Sequence, residues 1–217
     1  VVSLQRKLFD RSNLSILFVN KQALNLKENQ NNTSEYNRNI GLEYNYFSAD
    51  NLWNAKLLFL KSLSPVSQQQ GEVFASHIGY QSTRWNWRLQ QEYISGDYSA
   101  EVGFIPRNNY IKLQATGGYL HYTKKDTPLL SHGPRLGRTY YFDTNFDKKD
   151  QTQQLDYLFN FKNRSKFTLG IRRQYIELLA DFDPLRTQIA QLAAGTQHQW
   201  NSFSLSYDAK PQNRFTY

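Results

Sequence analysis

Apolar and polar residues alternate one by one along much of this chain. Over residues 36–46 the even positions are Tyr36, Arg38, Ile40, Leu42, Tyr44 and Tyr46. The odd positions are Asn37, Asn39, Gly41, Glu43 and Asn45. Further on, Trp85, Trp87, Leu89, Gln91 and Tyr93 alternate with Asn86, Arg88, Gln90 and Glu92. Leu155, Tyr157, Phe159 and Phe161 form one side of a later run. Phe167, Leu169 and Ile171 face away from Thr168, Gly170 and Arg172, and Phe203, Leu205 and Tyr207 alternate with serines. A period of two puts successive side chains on opposite faces of a strand, so each run predicts a strand with one apolar and one polar side. No stretch of similar length carries a helical stripe.

Turn-forming clusters separate these runs. Asp10-Arg11-Ser12-Asn13, Ser48-Ala49-Asp50-Asn51, Ser82-Thr83-Arg84 and Lys162-Asn163-Arg164-Ser165-Lys166 are short. Residues 24–35, 65–72, 96–109, 124–135, 147–152 and 179–195 read as longer polar connections. Short turns thus alternate with long loops, the asymmetry of an outer-membrane barrel. The pattern yields about eleven strands of roughly 9–14 residues, the beginning of another at 213–217, and lengths that suit tilted membrane-crossing strands better than soluble ones. The predicted fold is therefore all-β: an antiparallel transmembrane barrel over residues 1–217, without a second domain. The odd strand count is what an incomplete portion of a larger barrel would give.

Composition narrows this picture. The 217 residues contain no cysteine and no methionine, which removes disulfides, thiolate zinc sites and thiol nucleophiles. With no initiator methionine, the chain is expected to be processed or excised from something longer. Aromatics make up 15%, too many for a disordered chain. Mean hydropathy of −0.71 and the lack of a long apolar run argue against a transmembrane helix, yet a β-barrel hides its apolar band in every second residue. Tyr36 and Tyr46 bracket one strand, and Trp85, Trp87 and Tyr93 bracket another. Amphipathic rings are favoured at these positions in the headgroup layer. The formal charge of +8 is spread along strands and loops without a basic cluster, so nucleic acid is not an expected partner.

Candidate chemistry is sparse. His77, His121, His132 and His198 show no zinc-like spacing. Asp143-Thr144-Asn145-Phe146-Asp147 opens like a calcium loop, but Lys148 stands where the glycine belongs. That segment is expected instead to end a strand whose inward residues are acidic. Asp181-Phe182-Asp183-Pro184 reads as a turn opening a short helical piece at 185–194. There is no nucleophile elbow and no phosphate-cradling glycine loop. No catalytic residue, metal or cofactor is expected. The polar sides of the strands carry Glu43, Lys56, Arg88, Glu92, Lys112, Asp143 and Arg172, which in a barrel would line the lumen.

The most distinctive segment contains Val102, Gly103, Phe104, Ile105, Pro106 and Arg107 in sequence after Glu101. Taken with Tyr36-Asn37-Arg38, the Ser48–Trp53 hairpin and Ser206-Tyr207-Asp208-Ala209-Lys210-Pro211, it resembles an uncharacterised family of bacterial outer-membrane proteins. In that family a family-9-like carbohydrate-binding domain precedes a large C-terminal β-barrel, and the resemblance here covers only the barrel. It implies a non-catalytic component of the Gram-negative outer membrane, anchoring or transporting in connection with surface glycans. Its partners would be outer-membrane lipid, and glycans or other outer-membrane proteins. Within the motif, Gly103 is expected to permit a tight backbone, Pro106 to end strand pairing, and Arg107 to dock into the polar interior. Two other readings stay open: a soluble β-rich carbohydrate-binding module, and a polysaccharide hydrolase.

Overall fold

The computed structural model describes residues 1–24, 35–65, 71–105, 107–187 and 191–209. It is an antiparallel sheet of twelve strands without helices among those residues. In chain order the strands are β1 (Val2–Leu8), β2 (Ser12–Gln22), β3 (Tyr36–Phe47), β4 (Trp53–Leu63), β5 (Gly71–Gln81) and β6 (Trp85–Ile94). There follow β7 (Tyr110–Tyr119), the two-residue β8 (His121–Tyr122), β9 (Leu129–Phe142), β10 (Lys148–Phe161), β11 (Lys166–Glu177) and β12 (Gln197–Asp208). Spatial order follows chain order, apart from β8, which pairs only with β9. β1 and β12 stand at opposite ends of that order. No helix among the described residues is long and apolar enough to cross a membrane, which says nothing about crossing by strands.

The all-β antiparallel reading therefore holds, and the alternating runs fall inside β3, β6, β10, β11 and β12. Four local expectations do not hold. Residues 124–135 were expected as a loop, but β9 already begins at Leu129. Its apolar alternation is masked in sequence by His132, Gly133 and Pro134. Residues 147–152 were expected as a connection, but β10 already begins at Lys148, and its amide and lysine side chains resemble a loop in composition. The connection lies earlier, at 143–147: Asp143 accepts the Asn145 N–H at its Oδ1 (2.9 Å), and Phe146 takes a left-handed φ of 66°. The Asp143–Asp147 stretch is thus a turn and not a strand end. Finally, the helical piece at 185–194 is absent among its described residues. Asp183 does turn the chain, accepting the Leu185 N–H (3.0 Å), but Phe182 then pairs with Leu192 in an antiparallel bridge. The expected strand at 213–217 lies outside the described residues.

Two compact units divide the chain. The first contains β1 to β4, most of β5, the end of β6, the start of β7 and the connection between those last two strands. Within it, register pairs Asn13 with Asn45 and Asn45 with Lys56. Odd residues of β2 and β3 therefore share one side with even residues of β4. The opposite side carries Ile16, Phe18, Ile40, Leu42, Leu57 and Phe59. The second unit is dominated by β9 to β12. Its register stacks Leu136, Leu155, Ile171 and Phe203 in one row, and Pro134, Tyr157, Leu169 and Leu205 in the next. A polar row of Arg138, Gln153, Arg173 and Asn201 follows on the same side.

Candidate functional site

A water-soluble sheet protein buries its apolar side and solvates its polar side. Both units do the reverse. Ile40, Leu42, Leu57, Phe59, Leu155, Leu169 and Ile171 are each 41–50% exposed, and Phe203 is 81% exposed. Among the described residues, the buried polar ones are Ser12, Asn37, Asn39, Ser62, Ser131, Asp156 and Ser165. Only Val73, Ile94, Tyr98 and Tyr110 are buried apolar ones. Functional chemistry must therefore be sought on the polar side, which is organised differently in the two units.

In the first unit, the connection between β6 and β7 folds back onto the polar side of the sheet. Asn37 on β3 is completely enclosed. Its Nδ2 donates to the Ser99 carbonyl (3.1 Å), and its Oδ1 accepts from the backbone N–H of Glu101 (3.3 Å) and from Asn39 Nδ2 (2.7 Å). On β4, the Ser62 hydroxyl accepts the Ser99 N–H (3.2 Å) and donates to the Gly71 carbonyl (3.4 Å). Two short polar side chains thus supply the hydrogen bonds that a neighbouring strand would otherwise give this backbone. Gly71 makes the approach possible: a Cβ there would stand 2.2 Å from the Tyr98 Cα and 2.3 Å from its nitrogen. Burial pushes the Tyr98 phenol above its usual pKa. Lys21 pairs with Glu101, and Asn108 donates to the Tyr98 carbonyl (3.0 Å).

In the second unit the polar side holds a charged network. Asp156 on β10 is 3% exposed and accepts from Arg135 Nη2 (2.7 Å) and Nε (3.0 Å) at Oδ2. Gln154 Nε2 donates to both carboxylate oxygens (2.9 Å each), and Arg172 Nη2 donates to Gln154 Oε1 (3.0 Å). Gly170 leaves room for this arrangement, since a Cβ there would lie 2.7 Å from Asp156 Oδ1. Beside the network is a cavity of about 380 Å³ lined by Asn86, Gln114, Thr116, Arg135, Thr139 and Gln154, among others. That volume is of small-molecule size, and the lining offers hydroxyls, amides and a half-exposed guanidinium.

Of the polar residues singled out in sequence, two are brought together as an ion pair, and others bond residues outside that set. Glu43 and Lys56 form an ion pair at 2.7 Å. Glu92 accepts the Tyr110 hydroxyl, and Lys112 lies two residues along β7 from that tyrosine. Arg88 shares the Glu92 side of β6. Arg172 joins the Asp156 network, whereas Asp143 sits in the turn after β9. In the motif, Val102 and Phe104 are exposed, and Gly103 donates to the Ala100 carbonyl (2.9 Å) in a tight turn. A Cβ at Gly103 would meet only ordinary contacts, so glycine is not required there. The Arg107 guanidinium lies 5.8 Å from the Tyr110 ring centroid, a cation–π contact. Pro106 lies outside the described residues.

Sequence reasoning missed Asn37, Ser62 and Tyr98, whose importance depends on contacts across 37 to 64 residues. It also missed Arg135, because that residue was read as part of a loop. Asp156 had a signal: it is a carboxylate on the polar side of an amide-rich strand. Of the histidines, His121 and His132 lie with ring centroids 5.4 Å apart, and His132 Nδ1 bonds the Tyr157 hydroxyl (2.7 Å). No group of three or more His, Cys, Asp or Glu among the described residues is placed to hold a metal. Comparison with protein-family models, with curated proteins and with solved structures yields no match.

Proposed function

We propose that this chain forms the wall of an outer-membrane β-barrel of a Gram-negative bacterium, with its apolar side against lipid and its polar side lining the lumen. The observation that carries the reading is the inverted burial: open aliphatic rows beside enclosed Asn37, Asn39, Ser62 and Asp156. In water such rows would be an aggregation hazard. Against acyl chains they are the solvated surface. The aromatic residues support the same reading. In the first unit Tyr36 lies at one end of β3, with Tyr46 and Trp53 at the other. In the second, Trp85 packs on Tyr119 with centroids 4.6 Å apart. Such rings suit the headgroup layers on either side of a hydrocarbon band.

The role proposed is non-catalytic: a hydrated passage, or an anchor, serving surface glycan handling. The polar cavity beside Arg135 and the dispersed ion pairs favour the passage. The glycan connection rests on the family resemblance given above. Fractionation of the intact protein tests the first part: the expected result is recovery in the outer-membrane fraction and a requirement for detergent. A folded, monodisperse protein in detergent-free buffer would overturn the barrel and favour the soluble carbohydrate-binding module. Planar-bilayer conductance measured beside glycan-array binding tests the second part. Conductance supports the passage, glycan binding alone supports the anchor, and hydrolysed glycan products would establish the enzyme.

A further inference from the structure

The only enclosed apolar side chains among the described residues all belong to the first unit, and three structural facts tie them to the same place. Tyr98 is on the folded-back connection. Val73 is on the same side of β5 as Gly71, against which the Tyr98 backbone lies. Tyr110 begins the strand that this connection leads into, and its hydroxyl bonds Glu92, two residues before Ile94. The small core of this unit is thus spent on holding residues 95–105 against the polar side of the sheet. A loop that merely crossed solvent would not be fixed at both backbone and side chain. Here Asn37 and Ser62 bind the main chain at Ser99 and Glu101, Ser95 bonds Glu72 through backbone and hydroxyl, and Lys21 holds the Glu101 carboxylate.

We propose that residues 95–105 are a fixed constriction inside the lumen, and that Asn37 is the residue that positions it and so sets the size of solute that passes. This rests on the barrel reading. Physically, a segment seated on the inward side takes cross-section from the passage whichever solute is carried. Apart from the outer Lys21–Glu101 ion pair, its hydrogen bonds come from neutral amide, hydroxyl and main-chain groups, which do not depend on salt or on pH in the neutral range. It is a permanent narrowing and not a switch.

The test is single-channel conductance and a liposome-swelling series with neutral solutes of increasing size, on the intact protein and three variants. Asn37→Leu removes the donor and the acceptor while keeping the branched shape and the number of heavy atoms. Gly71→Ala acts from the other direction, adding a methyl group where the Tyr98 backbone lies. Lys21→Ala removes only the outer ion pair. The first two are expected to raise conductance and shift the size limit upward, whereas Lys21→Ala changes either quantity less. Heat-dependent electrophoretic mobility shows whether each variant is a folded barrel. Because the two main variants alter different groups, misfolding of one leaves the other to decide. Conductance and size limit unchanged in a folded Asn37→Leu or Gly71→Ala protein would overturn the constriction while leaving the barrel intact. Folded, inserted proteins that conduct in neither wild-type nor variant form would also overturn it, since the passage would then be closed elsewhere. Failure of the barrel reading itself is recorded separately, as recovery without detergent.

Discussion

The polar sides of the two units solve the same problem in different ways. Beneath residues 95–105, Asn37, Asn39 and Ser62 are enclosed without charge, and their partners are mainly main-chain groups. Between β9 and β11, Asp156 is enclosed with its charge, held by Arg135 and Gln154. Neutral amides can be covered by backbone at little electrostatic cost, so the first arrangement permits a close seal. An enclosed carboxylate needs a cation, and Arg135 meets that need while its own side chain stays 53% exposed. The second arrangement thus remains open to water. One alternating pattern therefore yields a covered surface where its polar residues are short amides and hydroxyls, and an open one where they carry charge.

The largest expected effect probes the charged arrangement by asymmetric deletion. Arg135→Leu leaves Asp156 enclosed without its cation and should cost about 3–5 kcal/mol. Asp156→Asn leaves a half-exposed guanidinium that water can solvate, and should cost only about 1–2 kcal/mol. Urea unfolding of the detergent-solubilised protein measures both. Equal costs would mean that Asp156 is reached by water and that the two units do not differ as described.

Next in size is the apolar side. Leu155→Arg and Leu89→Arg should each destabilise the proposed barrel in lipid by about 2–4 kcal/mol if they lie near the midplane. Both leucines are about half exposed, so a soluble protein would register either change within about 0.5 kcal/mol. Arg88→Leu, one residue along, should cost less than Leu89→Arg. Refolding equilibria in lipid vesicles separate these cases. A register error of one residue would reverse the order, because it exchanges every side chain between the two sides.

These predictions also mark where the sequence was legible. Period-two alternation identified the strands and their sides in β3, β6, β10 and β11, because alternation is a local property of the backbone. β9 escaped because His132, Gly133 and Pro134 interrupt the pattern just where the strand pairs with Tyr157 and Phe159. The Glu43–Lys56 pair was visible as polar-side charges, but its geometry needed the register of β3 on β4. Asn37 looked like any other polar-side amide. What distinguishes it is a backbone 62 residues away, and no window along the chain contains both.

Smaller effects sharpen the contrast between ion pairs. Glu43 and Lys56 are both about one-third exposed, so Glu43→Gln should cost under about 1 kcal/mol, well below the Arg135 change. A double-mutant cycle with Lys56→Gln measures the coupling; a coupling as large as that of Arg135 with Asp156 would contradict the account. Smallest of all is the turn after β3. The Ser48 hydroxyl, with help from the Leu52 N–H, holds the Asp50 carboxyl below the usual aspartate range. A lowered folded-state pKa stabilises the turn at pH above the ordinary aspartate value, and that contribution is lost as pH falls through the lower one. Amide protection in residues 48–53, taken relative to the intrinsic exchange rate at each pH, should fall at acid pH in the wild type and show no such dependence on this carboxyl in Asp50→Asn.

The most direct measurement uses the absence of cysteine from the chain. Single cysteines placed in turn at Gln154, Leu155, Asp156, Tyr157, Leu158 and Phe159 carry a nitroxide label in the intact protein reconstituted into lipid vesicles. Accessibility to oxygen, which concentrates in the hydrocarbon, and to a water-soluble nickel chelate is then recorded at each position. The account predicts strict alternation: Leu155, Tyr157 and Phe159 reached by oxygen, and Gln154, Asp156 and Leu158 by the chelate or by neither reagent. Uniform access of the chelate to Leu155, Tyr157 and Phe159 would contradict it, because the apolar rows would then face water.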